Sequence, residues 1–240
     1  SGQTSAWKVA VDGTSVYWTD GEGGAIRKVP INGGSVSTLA TGSLSASGIV
    51  VDSTNVYWSE FTNPGSIKKV PLNGGSVTTL ASNSNTPGIA VDGTNVYWTE
   101  NVYTNSGKVN KVPVNGGSII SLATSLTSPW DVAVDGVNVY WVEYTTGGAV
   151  KQISIGGGTP ITLASGLDYP VAIAIDSTNV YWIERNGGGA SGTVKMVAKG
   201  TNIPNATAPT TTASAAGGTF TSAQSVTLTC NDGIGSGCGK

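Results

Sequence analysis

The stretch IAVDGTNVYWTE, residues 89–100, decides the fold class of this chain. It places an apolar run before an Asp-Gly turn and a Val-Tyr-Trp run after it, which is typical of two β-strands joined by a tight turn. The same pattern occurs four more times, and successive copies are 40, 40, 43 and 41 residues apart. The aspartates that mark the five copies are Asp12, Asp52, Asp92, Asp135 and Asp176. A period of this length indicates a repeat architecture.

Each repeat predicts four short strands. In the first repeat, a variable loop follows the Tyr-Trp strand, and then come AIRKVPI (25–31), a two-glycine turn and SVSTLA (35–40). Four strands per ~40 residues, repeated around an axis, are typical of a β-propeller blade. A solenoid is the alternative, but its repeats usually carry one or two strands. We therefore predict an all-β propeller (residues 1–200) with five visible four-stranded blades, near residues 6–44, 45–84, 85–127, 128–168 and 169–200.

The fifth repeat differs from the other four. After VKMVAKG (194–200), neither the two-glycine turn nor the fourth strand follows. Propellers commonly close by taking one outer strand from the opposite end of the chain, so we expect the missing strand to come from sequence upstream of residue 1. The complete ring would have five blades, or six if another repeat precedes these.

The acid after each Tyr-Trp pair suggests a family. Residues 17–20 spell YWTD, and the other copies read YWSE, YWTE, YWVE and YWIE. This resembles the six-bladed YWTD propellers of the low-density-lipoprotein receptor family and similar secreted bacterial repeat propellers. The resemblance implies that the Tyr-Trp pairs pack between blades and that the acids accept backbone hydrogen bonds. Alternatively, the five carboxylates could hold a cation such as Ca²⁺ on one rim: Asp20, Glu60, Glu100, Glu143 and Glu184.

The last 40 residues have a different composition. Residues 201–218 are rich in Pro, Thr and Ala and predict an extended linker. Residues 219–240 resemble the start of an Ig-like domain of the chitobiase/β-hexosaminidase C-terminal type, a partial β-sandwich. Two strands cannot form a stable sandwich alone, so further residues or another chain would complete the sheet. Cys230 and Cys238 lie close together and predict a disulfide, which indicates an oxidising compartment.

Composition excludes several functions. A net charge of −2 gives no basic surface for nucleic acid, and no run approaches the ~18 apolar residues of a membrane-spanning helix. The chain has no histidine and therefore lacks the commonest general base and transition-metal ligand. We recognise no nucleophile-base pair and no cofactor motif, so we expect no cofactor and no catalysis. Carboxylate-only glycoside hydrolysis remains conceivable.

Differences in loop sequence among the repeats indicate which face of the propeller is the candidate functional surface. The turns between the first and second strands are near copies, whereas the second-to-third connections and the approaches to each first strand differ from repeat to repeat. In a propeller these two variable connections lie on the same face, around the mouth of the central channel. Six aromatic residues outside the Tyr-Trp pairs lie in or beside them: Trp7, Phe61, Tyr103, Trp130, Tyr144 and Tyr169. Lys8, Asp131, Asp168 and Arg185 occupy the same connections.

A functional and a structural interpretation of this face both stay open. Exposed aromatic residues on one face suggest a sugar platform or a protein-binding patch, although they could also plug the channel or support loops. Basic residues on the third strands, such as Lys28, Lys69 and Lys111, are expected to keep blade edges soluble. We predict an extracellular or cell-surface binding or scaffold module that engages other proteins or subunits, with a carbohydrate-binding or carbohydrate-active protein as the alternative.

Overall fold

The computed structural model confirms an all-β chain. It describes residues 6–21, 23–43, 45–83, 85–101, 105–185, 192–200, 210–213 and 228–231. Every regular element among these residues is a strand. No helix in the described part is long and apolar enough to cross a membrane. The chain divides into two compact units, Ser1–Lys199 and Gly200–Lys240.

Nineteen strands lie in the described part of the first unit. Blade 1 contains β1 (Ala6–Val11), β2 (Ser15–Asp20), β3 (Ala25–Pro30) and β4 (Ser37–Ala40). Blade 2 contains β5 (Ala46–Val51), β6 (Asn55–Glu60), β7 (Gly65–Pro71) and β8 (Thr78–Asn83). Blade 3 contains β9 (Ile89–Val91), β10 (Asn95–Glu100), β11 (Gly107–Pro113) and β12 (Ile120–Leu126). Blade 4 contains β13 (Pro129–Val134), β14 (Asn138–Glu143), β15 (Thr146–Ser154) and β16 (Ile161–Asp168), and blade 5 contains β17 (Pro170–Ile175), β18 (Asn179–Glu184) and β19 (Thr193–Ala198).

The strands of each blade pair in chain order as an antiparallel meander. The first strands of successive blades pack side by side, from β1 to β5, β9, β13 and β17, and so they form the inner wall of a ring. This is a β-propeller, as the repeats predict. Blades 1 to 4 have four strands each, and the described residues of blade 5 form three, in line with the two-glycine turn and fourth strand that the sequence of the fifth repeat lacks.

Tyr-Trp pairs form the cores of the interfaces between blades, as the resemblance implies. Tyr17 of blade 1 belongs to one buried cluster with Trp58 of blade 2, and Tyr57 of blade 2 belongs to the next with Trp98 of blade 3. The other two interfaces repeat this arrangement with Tyr97 and Trp141 and with Tyr140 and Trp182. Blades 1 to 4 thus present their Tyr on a trailing face, towards the next blade, and blades 2 to 5 present their Trp on a leading face, towards the previous one.

The aspartate of each first turn is bonded to the Tyr of the same blade. In blade 4, Asp135 Oδ1 accepts the N–H groups of Val137 and Asn138, and Oδ2 accepts the Tyr140 hydroxyl at 2.9 Å. Burial opposes ionisation of this carboxyl, but the hydrogen bonds from Lys199 and from the turn outweigh it and lower the pKa of Asp135 to about 2. The same carboxylate-hydroxyl bond joins Asp12 to Tyr17, Asp52 to Tyr57, Asp92 to Tyr97 and Asp176 to Tyr181.

Lysines of the third strands link neighbouring blades, so the expectation that they only keep edges soluble is wrong for three of them. Lys28 Nζ of blade 1 donates to the Leu72 carbonyl of blade 2 at 2.6 Å. The same bond joins Lys69 to Val114 and Lys111 to Ile155 in the next two interfaces. The acceptor belongs to another repeat, so nothing within one repeat indicates it.

The second unit contains one described two-stranded antiparallel sheet. β20 (Thr210–Ala213) pairs with β21 (Leu228–Asn231). β20 lies inside the predicted linker, because a run of threonines has high strand propensity despite the surrounding Pro and Ala. Cys230 lies in β21, whereas Cys238 lies outside the described residues, so the predicted disulfide stays a prediction.

Candidate functional site

The two kinds of variable connection meet at one end of each blade. Ser128, which precedes β13, has a left-handed backbone (φ 47°), and its carbonyl accepts the N–H of Tyr144, the first residue after β14. Blade 2 repeats this bond between Ser45 (φ 55°) and Phe61. The approach to the first strand and the loop after the second strand are therefore fixed to each other. We call this end of the ring the channel-mouth face.

Four aromatic side chains form a continuous cluster on the channel-mouth face. Phe61 of blade 2 meets Trp130 edge-to-face, with the ring centroids 5.8 Å apart. Trp130 then contacts Tyr144, and Tyr144 contacts Tyr169, each with the centroids 5.0 Å apart. These separations and tilts are typical of favourable aromatic pairs. Arg185 Nη1 lies 3.5 Å from the Tyr144 hydroxyl and extends the aromatic cluster onto blade 5.

A cavity of about 310 Å³ lies beside the aromatic cluster. Aromatic walls and two charged side chains surround it, and its lining residues are Trp7, Lys8, Ser47, Phe61, Pro87, Trp130, Asp131 and Val171. These residues come from all five blades, so the cavity lies over the central channel. An apolar cavity with a few convergent polar groups is the usual form of a ligand site.

Asp131 and Lys8 provide the charges of the cavity. Asp131 Oδ2 accepts the N–H of Ile173 on the neighbouring blade at 3.0 Å, so this carboxyl also joins β13 to β17. Burial raises the pKa of Asp131, and the bond from Ile173 and the attraction of Lys8 offset part of the rise. Lys8 is exposed and is the group that a ligand can reach more easily.

Tyr169 holds an unusual backbone conformation. Its φ is 50°, at the place where blades 2 and 4 have Ser45 and Ser128 and blade 3 has Asn85. Small polar residues and especially Asn tolerate this left-handed region, whereas a bulky residue there is rare and costs energy. Blade 5 therefore keeps a strained Tyr where the fold would accept a small residue. This backbone conformation positions the aromatic side chain of Tyr169, which belongs to the aromatic cluster.

The five acids after the Tyr-Trp pairs are paired with bases. Glu60 Oε1 lies 2.9 Å from Lys68 Nζ, and corresponding ion pairs join Asp20 to Arg27, Glu100 to Lys108, Glu143 to Lys151 and Glu184 to Lys195. The implied backbone bonds are present for Asp20, from Gly23 N–H, and for Glu184, from Asp168 N–H. Among the described residues, no three acids converge as they would around a metal. The cation site stays a prediction, and the structure shows basic partners for these carboxylates.

The structure brings most of the predicted site residues together. Seven of the ten named on sequence grounds belong to the aromatic cluster or line the cavity: Trp7, Lys8, Phe61, Trp130, Asp131, Tyr144 and Tyr169. Arg185 borders the aromatic cluster, and half-buried Asp168 precedes Tyr169. Tyr103 lies outside the described residues. The sequence reasoning missed Ser47, Pro87 and Val171, because small residues on or before the inner strands carry no signal beyond the repeat.

Comparisons with known proteins support the fold. No family model matches the sequence, and no curated protein matches it. A chain from the crystal structure of a nidogen/laminin complex is 23% identical, with a TM-score of 0.65, and the match covers 75% of this chain and 72% of that one. A putative TolB from Agrobacterium tumefaciens is 13% identical (TM-score 0.63; 81% and 76% covered), and a gluconolactonase from Xanthomonas campestris is 13% identical (TM-score 0.61; 80% and 73% covered). At such identities the likeness shows the shared fold alone.

Proposed function

We propose that this chain is a non-catalytic binding or scaffold propeller of the cell surface or extracellular space, and that it engages a partner protein through the channel-mouth face. The observation that carries the proposal is the aromatic cluster beside the cavity. Its rings are only half-buried although they pack against one another. Apolar side chains gathered on one exposed face are typical of an interaction site.

The residue types favour a protein partner. Trp, Tyr and Arg are the residues most often found at the energetic centres of protein interfaces. On this face Trp130 contacts Tyr144, and Arg185 lies beside the Tyr144 hydroxyl. Trp7, at the border of the face, is 69% exposed. Large rings with few rotatable bonds lose little conformational entropy on binding. The face thus offers a rigid anchor for a complementary apolar side chain.

The proposed location rests on the sequence. Two close cysteines and the resemblance to YWTD propellers favour an oxidising, extracellular setting. The proposed lack of catalysis rests on the absence of histidine and on the ion pairs that hold the five acids. A carboxylate that faces a lysine is poorly placed to take a proton from water.

A glycan is the second candidate ligand, and the cavity favours it. A space of about 310 Å³ with aromatic walls and the polar groups of Lys8, Ser47 and Asp131 has the mixture of surfaces that a sugar ring requires. The Xanthomonas neighbour's gluconolactonase activity belongs to that protein and adds nothing to this candidate, because 13% identity carries only the fold.

The test uses Tyr169→Asn, because this change removes a ring of the aromatic cluster and suits the left-handed backbone. We expect the free energy of unfolding to stay equal or to rise by up to ~1–3 kcal/mol, the typical cost of such backbone strain. Peptides selected from a phage-displayed random library on the wild-type chain should bind this variant at least about tenfold more weakly, because an interface hot spot contributes about 2 kcal/mol or more and a tenfold change corresponds to about 1.4 kcal/mol.

Val137→Ala is the matched control, since Val137 is an exposed apolar residue of the turn between β13 and β14, away from the channel mouth. This control should bind the selected peptides as the wild type does. Selected peptides that bind wild type, Val137→Ala and Tyr169→Asn equally would overturn the proposal. Binding on a glycan array that is lost with Tyr169→Asn, without any selected peptide, would favour the glycan instead.

A further inference from the structure

Lys8 and Asp131 occupy the same position of their blades. In the five first strands this position, four residues before the Asp of the turn, holds Lys8, Gly48, Gly88, Asp131 and Ala172. Two of the five are charged, and the charges have opposite sign. On the inner wall of the ring, β5 and β9 lie between β1 and β13, so the two charges come from blades that are not neighbours.

The two glycines keep the channel open at the level of these charges. A Cβ at Gly48 would lie 2.7 Å from Ile89 Cγ2, and a Cβ at Gly88 would lie 2.7 Å from the Trp130 carbonyl oxygen. Glycine is needed here because neighbouring inner strands approach closely, and as a consequence blades 2 and 3 place no side chain at this level. A second cavity of about 290 Å³ lies further along the first strands, and it shares three lining residues with the cavity at the mouth: Lys8, Pro87 and Asp131.

Neither of the two charges is neutralised by a neighbouring side chain. In the part of the chain that the structure describes, the ion pairs include neither the Lys8 ammonium nor the Asp131 carboxylate. Burial raises the pKa of Asp131, so a cation bound beside this carboxyl would stabilise its ionised form. Opposite charges that line one cavity without forming an ion pair are complementary to a ligand that carries both charges.

The hydrogen-bonding groups of the cavity are already engaged. Asp131 Oδ1 accepts the N–H of Val132 and Oδ2 accepts the N–H of Ile173, each at 3.0 Å. The Ser47 hydroxyl donates to the Thr86 carbonyl, also at 3.0 Å. The cavity therefore offers charge more than free hydrogen-bonding groups. This favours a quaternary ammonium, which has no N–H to satisfy, over a primary ammonium or a neutral sugar.

Aromatic residues complete the site for such a cation. Trp7, Phe61 and Trp130 line the cavity together with the two charges. Aromatic rings attract quaternary ammonium groups that lie within about 6 Å of the ring centroid. The volume of about 310 Å³ is at the lower end of the ~300–1,000 Å³ that is usual for ligand pockets, so it suits a small molecule.

We propose that the cavity binds a small zwitterion, with a quaternary ammonium between the aromatic residues and Asp131 and an anionic group, carboxylate or phosphate, at Lys8. The ammonium is the deeper end of the ligand, because Asp131 is half-buried and Lys8 is exposed. Free betaines and the choline phosphate headgroup of lipids share this chemistry. The inference goes beyond the proposed function, since it assigns the cavity a ligand of its own beside the aromatic cluster that engages the partner protein.

The test compares glycine betaine with glycine by isothermal titration calorimetry on the intact chain. The two ligands carry the same charges and differ only in the methyl groups on the nitrogen. We expect saturable binding of betaine and at least about tenfold weaker binding of glycine, because the ammonium of glycine would lose hydrogen bonds to water that the cavity does not replace. Equal affinities for the two ligands, or saturable binding of methyl glucoside without binding of betaine, would overturn the proposal.

Two variants assign the ends of the ligand. Lys8→Met should weaken betaine at least about tenfold, by loss of a charge-assisted hydrogen bond, and should leave choline, which has no anionic group, as tight or tighter. Asp131→Asn should weaken both ligands. Since Asp131 also joins β13 to β17, Lys8→Met on the exposed Lys8 carries the test if Asp131→Asn does not fold.

Lys108→Met is the matched control, because Lys108 is an exposed lysine of β11 outside the cavity. It should bind betaine as the wild type does. An unchanged betaine affinity in Lys8→Met would overturn the placement of the anionic group, and an unchanged choline affinity in folded Asp131→Asn would overturn the placement of the ammonium.

Flotation with phosphatidylcholine vesicles separates the two sources of this chemistry. Binding of betaine and choline phosphate without binding of vesicles assigns the site to a soluble zwitterion. Vesicle binding that is lost in Lys8→Met assigns it to a lipid headgroup, whereas vesicle binding that persists in Lys8→Met, without any binding of betaine, overturns the proposal. The phage-selected peptides report on the aromatic cluster and betaine reports on the cavity, so either proposal can fail without the other.

Discussion

At the scale of single residues, position in the ring decides what a side chain contributes. Val150 and Val194 are the same residue type at the same register of the third strand, in blades 4 and 5, but Val150 is 0% exposed and Val194 is 74% exposed. The free energy of burial depends on the apolar area removed from water, so identical residues of a repeat need not contribute equally.

Val150→Ala and Val194→Ala form a matched pair that measures this difference. We expect Val150→Ala to lower the free energy of unfolding by about 2–3 kcal/mol, from lost burial and the cavity that remains. Val194→Ala should change it by less than ~0.5 kcal/mol, as surface substitutions usually do. Urea unfolding followed by tryptophan fluorescence measures both. Similar losses for the two variants would mean that the trailing face of blade 5 is covered.

At the scale of elements, the third strand holds neighbouring blades together by two means. Its apolar residues enter the buried clusters, and the lysines of blades 1 to 3 donate to carbonyls of the following blade. At the fourth interface Gln152 replaces the lysine, and Lys199 of blade 5 instead donates to Asp135 at 2.8 Å and lies over the Tyr140 ring. A polar link is thus present at every interface of the described ring.

Lys69→Met tests this link. The substitution keeps the apolar stem but leaves the Val114 carbonyl without its donor, so we expect a loss of about 1–3 kcal/mol in the free energy of unfolding. Lys108→Met is the control on a neighbouring third strand, because Lys108 is 41% exposed and 3.9 Å from Glu100. That long ion pair should contribute less than ~1 kcal/mol to the free energy of unfolding. A cost for Lys69→Met no larger than the control would show that the link contributes nothing.

Features that repeat along the chain were predictable from the sequence, and contacts between distant residues were not. The strands, the blades and the role of Tyr57 and Trp58 depend on local pattern. The channel-mouth aromatics were predictable as a group, because they break the repeat. The ring contacts among them and the partner of Lys69 were not predictable, since these contacts join residues 14 to 69 positions apart whose approach only the closed fold determines.

At the scale of the whole molecule, five Asp-Tyr hydrogen bonds make the free energy of unfolding depend on pH in the acidic range. The pKa of Asp12 and of Asp135 is lowered to about 2, and the pKa values of Asp52, Asp92 and Asp176 are also lowered. In the unfolded chain these groups titrate near the ordinary value of 3.8. A depressed pKa stabilises the folded state above the unfolded pKa, and the contribution is lost as the pH falls through the folded one.

We therefore expect the free energy of unfolding to stay nearly constant between pH 6 and 8, where no histidine titrates, and to fall between about pH 4 and pH 2. Asp12→Asn should lower stability at pH 7 and flatten the acid slope, because one linked carboxyl is removed. Urea unfolding at pH 7, 4 and 2.5 measures both effects. An unchanged acid slope in Asp12→Asn would show that this bond does not depress the pKa.

The repeated Tyr-Trp pairs pack between blades, whereas Trp7, which lies outside the repeat pattern, is exposed at the border of the channel-mouth face, and the account of the ring depends on this division. Hydroxyl-radical footprinting of the intact chain, read residue by residue by mass spectrometry, tests it most directly. We predict that Trp58, Trp98 and Trp141, each 0% exposed, are protected, while Trp7 is rapidly oxidised. Comparable oxidation of Trp7 and of these three residues would contradict the division, and with it the ring of blades.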